Sequence, residues 1–68
     1  MRYAIVMKKA DRTYSAYVPD LPGCVAVGDS VASVEREIAD AIRTHIDTLK
    51  KRGEPVPQPT SLAAYVEA

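Results

Sequence analysis

The chain has 68 residues, with nine Lys and Arg balanced by nine Asp and Glu, 47% hydrophobic residues, four Tyr, no Phe, no Trp and one Cys. That describes a single small domain, 1–68, whose zero formal charge offers no global field for nucleic acid and whose lone Cys excludes an internal disulfide. The apolar runs are only a handful of residues long and no charged segment precedes an apolar one at the N-terminus, so neither a membrane span nor a secretory signal is predicted and the chain is expected to be cytoplasmic.

Arg2 to Lys8 is β-branched and aromatic, with Tyr3, Ile5 and Met7 on one face and Ala4 and Val6 on the other, and predicts a strand. Lys9-Ala-Asp-Arg12 interrupts it with Asp11 as the turn former, and Thr13 to Val18 then alternates again, which predicts an antiparallel hairpin burying Tyr14, Ala16 and Val18. Pro19 and Pro22 cannot donate to a ladder, and Leu21-Pro22-Gly23-Cys24 fits a type II turn with Gly23 at positive φ. A third strand is predicted over Cys24–Gly28.

From Asp29 the apolar period changes from two to about 3.6. Val31, Val34, Ile38, Ala41, Ile42, His45, Ile46 and Leu49 form one stripe of an amphipathic helix of about 22 residues. Asp29 or Ser30 caps its start, Lys50-Lys51-Arg52 complements its C-terminal dipole, and Gly53 is placed for a left-handed cap. Pro55, Pro57 and Pro59 make a stiff tether. Residues 60–66 suit either a helical turn capped by Thr60 or Ser61 or a short closing strand at Tyr65-Val66.

Three strands, a long helix and a short terminal element predict an α+β two-layer sandwich, one long helix packed on an antiparallel three-stranded sheet. One helix covers one sheet face, yet the first and third strands are apolar on both. Burying about 60% of the unfolded surface, with about 60% of that buried area apolar, yields about 98 kcal/mol, against about 102 kcal/mol for ordering the chain. Both observations call for another protein chain, and a homo-oligomer, dimer or tetramer, is expected.

Cys24, His45 and Asp20 are the ingredients of a thiol nucleophile, base and orienter, but no spacing brings them together. Cys24 reads as a small buried hydrophobe with a free thiol, and His45 as a histidine at the core edge or an interface. One His and one Cys do not make a zinc site, and no cofactor is expected. Asp11, Asp20 and Asp29 are turn and cap formers, whereas Arg36 with Asp40, Asp40 with Arg43, and Asp47 with Lys50 or Lys51 are spaced for exposed pairing. No catalytic residue is assigned.

The string Ala16-Tyr-Val-Pro-Asp-Leu-Pro-Gly-Cys24, followed by Val27-Gly-Asp-Ser30 and Gly53-Glu-Pro-Val-Pro-Gln-Pro59, resembles the HicB-like antitoxins of HicA/HicB toxin–antitoxin systems in bacteria and archaea. The resemblance implies a β-β-β-α-β partial ribonuclease-H-like unit without catalytic carboxylates, and a partner: a HicA-type ribonuclease that cleaves messenger RNA and is blocked at its active site. Many relatives add a C-terminal DNA-binding module, whereas this chain ends at Ala68, so direct DNA binding is not expected. Ser30-Val-Ala-Ser33 departs from the family's Thr-x-x-Glu, and only the forward half of the capping box is expected. Because such a toxin is basic where it receives RNA, the resemblance implies an acidic and aromatic contact edge at Tyr17, Asp20, Leu21 and Asp29, with Lys50–Arg52 at the far end. A small dimeric transcription regulator of the ribbon-helix-helix type fits less well, because that fold needs one strand and two helices. An orphan protein-interaction domain is the other alternative, and a cysteine or nuclease enzyme lacks a positioned cluster.

Overall fold

Three antiparallel strands in the order β1-β2-β3 lie under one helix in the computed structural model, which describes residues 1–68. The strands are β1 (Val6–Ala10), β2 (Thr13–Tyr17) and β3 (Val25–Gly28), and the helix is α1 (Val31–Lys51). This is the α+β two-layer arrangement expected from the change of period at Asp29.

The first hairpin is tighter than the expected four-residue interruption. Ala10 pairs with Thr13, so Lys9 and Ala10 join the ladder and only Asp11 and Arg12 turn the chain. Asp11 takes φ 53, a left-handed conformation that Asp tolerates better than most residues. The shift moves β1 from the expected 2–8 to Val6–Ala10, because β2 leaves the sheet after Tyr17 and offers residues 2–5 no partner. The faces are unchanged: Tyr3, Ile5 and Met7 pack against the core.

Between β2 and β3 the chain bonds to itself. The Val18 amide donates to the Cys24 carbonyl, the Leu21 amide to the Val18 carbonyl and the Cys24 amide to the Leu21 carbonyl, each at 3.1 Å. The last of these closes the expected turn, with Gly23 at φ 85 where a side chain would be strained. Its result is to turn Leu21 inward, fully buried, against Val18, Val34 and the rest of a seven-residue core completed by Ala16, Cys24, Ala26 and Ile38.

Ser30 caps α1 with its Oγ accepting from the Ser33 amide at 3.1 Å, and the Ser33 hydroxyl donates to the Ser30 carbonyl instead of accepting from the Ser30 amide. The reciprocal half of the capping box is therefore absent, as the Ser33 departure predicted. At the other end the Gly53 amide bonds the Lys50 carbonyl and the Glu54 amide bonds the Leu49 carbonyl, with Gly53 at φ 68. These two bonds define a Schellman cap. Residues 60–66 form neither of the elements considered for them, helical turn or closing strand, and the proline tether before them is likewise without regular structure.

A 21-residue helix is about 32 Å long, whereas five-residue strands span about 17 Å, so α1 overhangs the sheet. It packs on β3 and β2 and not on β1. Val34 and Ile38 in its first half are buried, while Ala41, Ile42, His45, Ile46 and Leu49 are only half-buried. The two layers meet closely at Gly28, where an added Cβ would lie 2.6 Å from Ser33 Oγ and 3.0 Å from the Val34 side chain. Gly28→Ala is expected to cost about 1–3 kcal/mol through overpacking, read as a lower urea midpoint with an unchanged slope.

Candidate interaction surface

The register builds a cross-strand row on the sheet face turned away from α1. Val6 pairs with Tyr17, and Tyr17 pairs with Val25, so Tyr17 stands between two valines. Val27 lies two residues along β3, opposite Ser15. Tyr17 is 46% exposed, Val25 62% and Val27 57%. Lys8 and Ser15 form the next row, and Ala10 and Thr13 the one after it. The apolar part of this face is therefore concentrated at the Tyr17 end and rimmed by polar groups toward the hairpin, the pattern of a protein-docking patch. Alternation alone had marked Val25 and Val27 as a second apolar face; their alignment with Tyr17 depends on the register.

Asp20, beside this row, is engaged. One carboxylate oxygen accepts from the Thr60 and Ser61 amides at 3.0 and 2.9 Å, and the other from the Thr60 and Ser61 hydroxyls at 3.1 and 2.9 Å. The Ser61 amide, followed by the hydroxyls and the Thr60 amide, holds the Asp20 carboxyl below its ordinary value despite an opposing effect of burial. The Tyr3 hydroxyl adds a second tie by donating to the Pro57 carbonyl at 2.6 Å. Because the folded-state pKa is depressed, the anchor is complete above the ordinary aspartate range and is lost as pH falls through the lowered value. The Thr60 and Ser61 amide resonances should therefore move together on acidification below that range, and Asp20→Ala should produce the released positions at neutral pH.

The four expected contact residues are dispersed. Tyr17 is on the open face, but Leu21 is fully buried and presents no side-chain surface. Asp29 follows Gly28, which pairs with Tyr14, whereas Val25 pairs with Tyr17, so Asp29 and Asp20 lie at opposite ends of β3. Asp29 is exposed and accepts from the Ser33 hydroxyl at 3.5 Å. The basic helix end is not remote from the Asp20 turn, because Arg52, Thr48 and His45 line one shallow groove with Gly23 and Cys24. The acidic groups therefore do not form one edge opposed to Lys50–Arg52.

Cys24 and His45 do share that groove, but no hydrogen bond joins them. Burial pushes the Cys24 thiol up, which favours the protonated form over the nucleophilic thiolate. Asp20 is taken up by Thr60 and Ser61, so the arrangement does not assemble a nucleophile, base and orienter. No three His, Cys, Asp or Glu side chains converge as a metal cluster. Of the expected exposed pairs, Arg43 meets Asp40 at 2.7 Å. No helix is long and apolar enough to cross a membrane.

The fold is thus a two-layer domain with an open apolar sheet face, a buried thiol and an engaged carboxylate. Residues 3–68 match the family described as HicB-like antitoxin of bacterial toxin–antitoxin system. The chain belongs to this HicB-like antitoxin family. It is 35% identical over 69 residues to a UPF0150 protein of Thermoplasma acidophilum, covering all of both chains. An uncharacterized 14.9 kDa protein from the rep-hol intergenic region of Haemophilus phage HP1 is 30% identical over 66 residues, which are 97% of this chain and 50% of the phage protein. The chain thus spans half the length of that relative. In three dimensions it is similar to a chain of a HicA3 and HicB3 toxin–antitoxin complex, with TM-score 0.73 and 30% identity over 87% of this chain and 69% of the other.

Proposed function

We propose that this chain is the antitoxin of a type II toxin–antitoxin pair, binding a HicA-type messenger-RNA-cleaving ribonuclease in the cytoplasm and covering its active site without turnover of its own. The observation that carries this reading to particular residues is the Val6–Tyr17–Val25 row with Val27, an apolar patch on an otherwise polar sheet face in a chain of the antitoxin family. An exposed tyrosine between β-branched residues offers a rigid, amphipathic anchor at low entropic cost. Asp20 and Asp29 flank the row from the two ends of β3 and supply acidic groups toward a basic RNA-receiving surface. Leu21 contributes from below by holding the turn that ends β2. Self-association into a dimer or tetramer accompanies toxin binding, and the neutral chain is not expected to bind DNA directly.

The non-catalytic part of the reading is supported by the buried Cys24 thiol and the engaged Asp20 carboxylate. Binding rates to a purified HicA-type ribonuclease, measured at two ionic strengths with variants of confirmed fold, test the assignment. Tyr17→Ala and Val25→Asp are expected to weaken binding at least about tenfold, chiefly by faster dissociation, consistent with loss of a desolvated anchor. Lys51→Glu should be near neutral, and Cys24→Ala should still neutralise the toxin. A damaging Lys51→Glu together with a silent Tyr17→Ala would place the contact on another face.

A further inference from the structure

Two apolar features lie outside the sheet face assigned to the toxin. The first is a groove of about 370 Å³ lined by Met1, Tyr3, Ala39, Ile42 and Ile46 and rimmed by Arg43 and Lys50. It exists because α1 packs over β3 and β2 and leaves the β1 side of its apolar stripe uncovered. The second is the segment after Ser61, where Leu62 is 94% exposed, Tyr65 98% and Val66 91%, on chain that has no helix or strand. Their spacing of three and four places all three on one side of a helical turn.

The exposed area sets the scale of what is missing. The chain exposes 5366 Å², about 1,150 Å² more than the surface of about 4,200 Å² that a compact domain of this mass presents. Its radius of gyration is 13.1 Å, against about 11 Å for a compact chain of this length. The excess is larger than the surface of about 800 Å² that each partner gives to a stable interface.

We propose that residues 62–67 of one copy fill this groove on a second copy, and that the exchange is reciprocal. This deepens the self-association proposed above and is independent of the toxin reading. Donor segment and acceptor groove are both carried by the one chain, so a twofold exchange satisfies two of each and closes the assembly. Charge agrees with this occupant: residues 53–68 carry Glu54 and Glu67 and no Lys or Arg, while the groove is rimmed by Arg43 and Lys50. The same basic rim opposes a basic RNA-receiving surface, and the zero net charge removes long-range repulsion between copies. The segment also leaves from a fixed point. Asp20 holds Thr60 and Ser61, Tyr3 holds Pro57, and Leu62 begins beside Arg2 and Ala4, so the cost of ordering residues 62–67 starts from an already anchored point.

Light scattering and sedimentation of the full chain, without toxin, test the exchange. The unsubstituted chain should be a dimer or larger at micromolar concentration. Tyr65→Ser with Val66→Asp, at positions too exposed to disturb the core, should raise the dissociation constant at least about tenfold, and Ile46→Asp should do the same. Mixing the two variants should restore a heterodimer, because the intact segment of the Ile46→Asp chain meets the intact groove of the other. Glu67→Lys and Lys50→Glu, each weakening when alone, should likewise rescue one another when mixed, and neither can unfold the domain. Oxidation of an Ile46→Cys, Val66→Cys chain should give a cross-linked dimer. A monomeric unsubstituted chain overturns self-association and exchange together. An oligomer indifferent to these variants, a mixture that restores nothing, or a cross-linked monomer overturns the exchange and leaves self-association standing.

Discussion

One helix can shield only one side of a sheet, and here it shields only part of that side. The seven-residue core lies between the first half of α1, β2, β3 and the inward-turned Leu21, and it is closed by the bonded loop from Val18 to Cys24. Everything beyond that wedge is left with one neighbour too few: the outer row around Tyr17, the groove beside Ile42 and Ile46, and the segment from Leu62 onward. The single helix α1 does not cover them. Contact with a further polypeptide surface is the physical remedy for such incomplete burial.

Asp20 fixes the point from which the C-terminal segment starts. With four hydrogen bonds to Thr60 and Ser61, it ties the loop between β2 and β3 to residues 40 and 41 positions away. Pro55, Pro57 and Pro59 stiffen the intervening path, and Tyr3 holds it at Pro57. The C-terminal segment therefore starts from a defined site, with Leu62 and Ala63 beside residues 2–4. In this account Asp20 acts on recognition through the chain it positions as well as through its charge. It would keep the surface proposed for the toxin apart from the one proposed for a second copy.

Much of the fold was legible because its determinants are local. The turn at Gly23, the Ser30 cap, the Gly53 cap and the helix stripe each depend on residues within a few positions of one another. The ends of β1 were less so, since they depend on a two-residue turn at Asp11 and on where β2 stops pairing. Alternation revealed that β3 is apolar on both faces, but not that Val25 would align with Tyr17 and Val6. Leu21 looked like part of an exposed loop edge because a turn residue's direction is set by the hydrogen bonds of the whole loop. The Asp20 anchor left only a faint sequence signal, two hydroxyl residues after a proline run, which read equally well as a helix cap. Residues 60–66 remained ambiguous for a physical reason: they make no helix or strand of their own.

The Tyr17 row is the proposed surface that this HicB-like chain buries against a HicA-type toxin. Hydroxyl-radical labelling of the chain, alone and saturated with a HicA-type ribonuclease, measures that burial side chain by side chain. Labelling of Tyr17, Val25 and Val27 should fall sharply in the complex while the exposed Glu35 and Arg36 side of α1 stays as reactive as before. Unchanged labelling of those three residues, with protection on the helix instead, would contradict the account.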